Sequence, residues 1–79
     1  MDGYSIKYDV EVDFYDGGYD NNTFFNEENA REYLNECIED GKTNENPVIF
    51  YRITRTETSG GMIVDSVTIT EWNDESEGY

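Results

Sequence analysis

Histidine is absent from the 79 residues, and there are only one cysteine, one proline and five basic side chains. Each shortage removes a class of chemistry. A serine or cysteine nucleophile is usually activated by a neighbouring imidazole, so the common acyl-transfer sets cannot be assembled. With Cys37 alone no disulfide closes within one chain, and such cysteine usage fits a reducing compartment. No apolar run approaches the roughly 20 residues of a membrane span. The opening MDGYSIKYDV lacks a basic stretch followed by an apolar one. The sequence therefore predicts a soluble, cytoplasmic chain with no membrane partner.

What is abundant is acid. Nineteen Asp and Glu stand against five Lys and Arg, for a net charge of −14. Nucleic acid and anionic membrane both repel such a field, so the expected partner is basic. Seven Tyr, four Phe and one Trp argue against a disordered acidic chain. The length allows one domain, residues 1–79, with a marginal core.

The coarse order is strand, strand, helix, strand, strand. Tyr4, Ile6, Tyr8, Val10, Val12 and Phe14 alternate with polar residues, which predicts a half-buried strand over 4–14. DGG at 16–18 is a turn signal, and 19–25 returns as a short strand or a wide loop. Asn26 is a good N-cap, with Glu27 and Glu28 where the helix dipole favours them. Phe25 and Ala30 have the spacing of a hydrophobic staple. Ala30, Tyr33, Leu34, Cys37 and Ile38 form one apolar stripe, so a helix is expected over 27–40, stopped by Gly41. Cys37 reads as a packed side chain of that stripe.

Strands are expected over 48–58 and 62–72, joined at Ser59–Gly61. Ile63, Val67 and Ile69 share a face that Asp65 interrupts. A bulge there, or exposure of the strand's first half, would resolve the conflict. Residues 73–79 read as a frayed acidic tail. The expected fold class is α+β: an antiparallel sheet of three or four strands, in β-β-α-β-β order, with one helix across one face.

Two chemical readings are weak. Paired carboxylates do acid–base work only where a cleft shields one of them, and so short a chain has little material for a cleft. Taking Asp16 as the first position of a calcium loop puts Asp20 fifth and Glu27 twelfth. Gly18 and Asn21 then occupy positions that need an oxygen ligand and a glycine, and no helix precedes. Neither enzyme activity, nor a metal, nor a cofactor is expected.

The acidic residues form two sets. Asp9, Glu11 and Asp13 recur on the polar side of the first strand about 6.7 Å apart, a small multiple of the ~3.4 Å phosphate repeat of a nucleic-acid strand. Pointing away from the apolar face, they are expected to contribute little to packing. On the helix, Glu28, Glu32, Glu36 and Glu39 fall within about 80° of each other, opposite the apolar stripe. Their i,i+4 repulsions cost roughly 0.2–0.5 kcal/mol each. Residues 1–41 hold twelve acids and two bases, net −10. Asp16 and Asp20 add charge at the turn. Tyr15 and Tyr19 add the aromatic area that interfaces favour, with packing at sheet edges as the alternative.

In size, acidity and lack of a catalytic set the chain resembles phage and mobile-element inhibitors of host defence. These include anti-CRISPR proteins and the nucleic-acid-mimicking inhibitors of uracil-DNA glycosylase and restriction enzymes. The likeness lies in composition over the whole chain and in element order, and transfers no individual residue. It implies a non-enzymatic inhibitor that binds a basic nucleic-acid-binding host protein, a CRISPR effector first, in the host cytoplasm. The rival expectation is a structural or regulatory interaction protein whose charge serves solubility. A monomer and a homodimer paired through an exposed edge of the long hairpin are both open.

Overall fold

A computed structural model describes residues 3–74. The elements are β1 (Ser5–Phe14), β2 (Tyr19–Phe24), α1 (Glu27–Thr43), β3 (Val48–Ser59) and β4 (Met62–Asn73). The four strands form one antiparallel sheet in the order β2-β1-β3-β4. Residues 19–25, open between strand and loop in the sequence, pair with β1 as a strand, Asp13 opposite Tyr19 and Tyr8 opposite Phe24.

The period-2 pattern of β1 decides what the helix covers. Val10 and Val12 lie opposite Ile53 and Tyr51 of β3, and Val10, Val12 and Ile53 are fully buried. Each such side chain contributes about 1.5–3 kcal/mol on burial. Ala30, Leu34 and Cys37 bury the helix stripe against them, with Tyr33 and Ile38 partly buried beside it. The helix packs on β1, β3 and β2; among the described residues its backbone stays clear of β4, and Ile38 and Lys42 share an apolar hollow with Trp72 of that strand.

The helix begins as its sequence dictates, with Asn26 Oδ1 accepting from Asn29 N at 3.1 Å. The staple does not form. Phe25 is 76% exposed, and Phe24 faces the core instead, its ring 5.3 Å from that of Tyr33. Pairing with Tyr8 sets this phase: one residue of shift along a strand moves a side chain to the other face.

Gly41 does not stop the helix, which runs on to Thr43 and is capped at Asn44. The left-handed residue at the exit is Glu45, with φ 57°. Gly41 is needed for close approach: a Cβ there would lie 2.7 Å from the Asn46 carbonyl oxygen. Asn46 N donates to Gly41 O at 2.8 Å across the same contact.

In β4 both expected remedies occur. Pairing with β3 skips Val64 and Ile69, so two bulges interrupt the strand. Ile63, Val64 and Val67 are exposed, while Ile69 packs on the core. Asn73 closes β4, and Asp74 N donates to Ile49 O at 2.9 Å, so these two residues belong to the fold. The rest of the expected tail, 75–79, lies outside the described residues. Among the described residues no helix is long and apolar enough to cross a membrane.

Candidate functional site

Strand pairing assembles one face of the site. On the side of the sheet away from the helix, Asp9, Glu11 and Asp13 stand opposite Thr23, Asn21 and Tyr19 of β2 and Thr54, Arg52 and Phe50 of β3. All three carboxylates are half-buried. Asp9 Oδ1 accepts from the Thr23 hydroxyl at 2.6 Å. Glu11 Oε1 accepts from Arg52 Nη2, also at 2.6 Å. Glu71 of β4 stands 3.8 Å from Arg52 Nη1 on the other side.

The strand itself offers the row Lys7, two residues before Asp9; the sheet brings a second base, Arg52, from 41 residues beyond Glu11. Arg52 lies between Glu11 and Glu71, 5.6 Å above the Phe50 ring. The hydrogen bond and charge of Glu11 hold its guanidinium above its ordinary protonation range. Its Nε is buried without a hydrogen-bond partner. Glu11 therefore has a packing role that alternation alone does not reveal, and the row is no free run of three charges.

Asp13 opens onto a groove of about 400 Å³ at the end of the sheet, lined with Tyr15, Ile49, Phe50, Asn73 and Asp74. Tyr15 lies beyond β1 and is 64% exposed, its N donating to Pro47 O at 2.9 Å. Tyr19, also exposed, pairs with Asp13 from β2. The anchor Phe50 and the acid Asp74 escape the sequence reading. Regular register sets Phe50 opposite Asp13, and Ile49, bulged out of the β1–β3 pairing, accepts from Asp74 N at 2.9 Å and so holds Asp74 at the groove.

Asp16 is a turn residue: its Oδ1 accepts from Gly18 N at 2.8 Å, and its N donates to Asn46 Oδ1 at 2.9 Å. Among the described residues no group of three or more acidic or cysteine side chains stands close enough to hold a metal ion.

The helix acids lie on the other side of the molecule. Glu28, Glu32, Glu36 and Glu39 are exposed on the outer face of α1. Glu39 is 3.8 Å from Lys42 Nζ, and Arg31 bonds Glu27 at 2.8 Å. Asp20 belongs to this side, because it pairs with Val12 on the helix-bearing face. There it adds to the burial that pushes the Tyr33 phenol up to about 12. Burial likewise raises the Cys37 thiol.

The structure thus divides the predicted residues into two acidic faces, Asp9/Glu11/Asp13 with Tyr15 and Tyr19 on one, Asp20 and the helix glutamates on the other. The shortest dimension of the fold between Cα atoms is 17 Å. No protein-family model matches the chain, and no curated protein or solved structure matches it either.

Proposed function

We propose that the chain is a non-enzymatic inhibitor that occupies a basic nucleic-acid-binding cleft of a CRISPR effector complex in the host cytoplasm, excluding DNA or RNA. The observation that carries this reading is the division of the carboxylates between opposite sides of the fold, one set on the helix-free sheet face and the other on the outer face of α1. A cleft built for nucleic acid closes on its ligand from both sides with Lys and Arg, and a two-faced acidic body meets both walls. Asp13, Tyr15 and Tyr19 supply a half-covered acid beside exposed aromatic area, the combination that anchors interfaces. The rival reading, acidity for solubility alone, gives no reason to retain self-repelling helix glutamates in a small fold.

The test is competition for guide or target binding by purified effector complexes, read by gel shift across a salt series. Inhibition should weaken steeply as salt rises, because charge steers association. Asp13→Lys with Tyr15→Ala, and separately Glu28, Glu32, Glu36 and Glu39 all to Gln, should each reduce inhibition about tenfold or more. A folded protein carrying both sets with undiminished inhibition overturns the reading, as does the absence of inhibition of any effector tested.

A further inference from the structure

We infer that β4 is a self-association edge: two copies of the chain pair antiparallel through β4 to make one eight-stranded sheet. Charge is the first reason. Residues 48–73, the β3–β4 hairpin, carry three acids and two bases, net −1, so the rest of the chain carries −13. The other hairpin, β1–β2 over residues 5–24, carries five acids and one base. The β3–β4 hairpin is also where apolar side chains are exposed: Met62, Ile63 at 68%, Val64 at 58% and Val67.

The edge is the second reason. Among the described residues β4 pairs on one side only, and the helix backbone does not approach it. Its twelve residues contain no proline and no lysine, the usual guards of an open edge. The bulges at Val64 and Ile69 leave 65–68 as a regular segment between them. Antiparallel pairing about a two-fold axis requires directly opposed residues to share a face. With the axis at Val67, Val67 meets its own copy and Ser66 meets Thr68 of the partner subunit. Asp65 and Glu71 then have no like charge directly opposite, the arrangement that would destabilise a pair.

A second copy is the occupant because the geometry separates what repels. β4 and β3 lie between β1 and the axis, so the two acidic β1 rows stand five strand spacings apart, roughly 24 Å. That is well beyond the screening length of ~8 Å at physiological ionic strength. A strongly basic partner would be drawn to the −13 body rather than to this edge. The pairing is independent of the inhibitor reading and responds to salt in the opposite sense.

Light scattering after size exclusion, on the full chain over a concentration series, should give twice the 9.2 kDa of one chain. Added salt should tighten the dimer. Val64→Lys with Val67→Lys should raise the dissociation constant more than about tenfold with unchanged circular dichroism, since both side chains are exposed. In the wild-type protein, β4 amides should exchange more slowly as concentration rises, a readout that holds even if the double variant unfolds. A monomer at every concentration overturns the inference, as does a dimer that the lysines leave intact or one that protects other strands.

Discussion

Arg52 of β3 donates to Glu11 of β1 at 2.6 Å on the helix-free face of the sheet, with Glu71 of β4 flanking it. One cation thereby ties three strands and neutralises the middle of the acidic row. Glu11→Lys would place two cations together over the Phe50 ring. It should lower the thermal midpoint clearly more than Asp13→Lys, with the exchange Glu11→Arg plus Arg52→Glu recovering part of the loss. Equal losses for Glu11→Lys and Asp13→Lys in circular dichroism melts would show that the pair does not hold the strands.

Gly41 gives a second prediction. Its Cβ would lie 2.7 Å from a backbone oxygen, which cannot swing away as a side-chain tip can. Gly41→Ala should cost about 1–3 kcal/mol, although alanine is the better helix former by ~1 kcal/mol. Urea unfolding measures it; a stabilised variant would mean that the 44–47 segment shifts freely.

Leu34 is the largest helix side chain in the core. Leu34→Ala should cost about 2–5 kcal/mol, a large part of the stability of so small a domain. Ile63 of the hairpin, of the same size but exposed, should tolerate alanine within about 0.5 kcal/mol as a monomer. The two denaturation midpoints, measured at dilutions where self-association is absent, check the contrast.

Tyr33 sets an alkaline limit. Burial keeps its phenol neutral to about 12, above its ordinary value of 10.0. Between these values the unfolded chain loses a proton that the folded chain keeps, so stability is full below pH 10 and falls as pH rises toward 12. Tyr33→Phe should flatten that fall in urea titrations at stepped pH. An unchanged slope would assign the alkaline loss to other groups.

Local features were legible because their causes are local. The alternation of β1, the Ala30/Leu34/Cys37 stripe and the Asn26 cap each depend on residues within a turn or a few strand positions. The staple failed because Phe24 and Phe25 are equally apolar, and only the β1–β2 register chooses between them. Gly41 misled because a glycine at a helix end and one beneath a crossing chain look alike in sequence. Within the candidate site, alternation correctly placed Asp9, Glu11 and Asp13 on one face. It could not supply Arg52, nor show that Asp20 joins the helix side.

By itself the sequence determined the charge, the element order, the stripe that the helix buries and the face on which each β1 side chain stands. These follow from composition and from periods of 2 and 3.6 residues. The tertiary structure decided which charges meet and which stay apart. Strand order set Arg52 between Glu11 and Glu71, and placing the helix on one side of the sheet sent the two acidic sets to opposite faces. Among the described residues it also left β4 away from the helix backbone and paired along one edge only. Those outcomes depend on contacts between residues tens of positions apart, which no local pattern encodes.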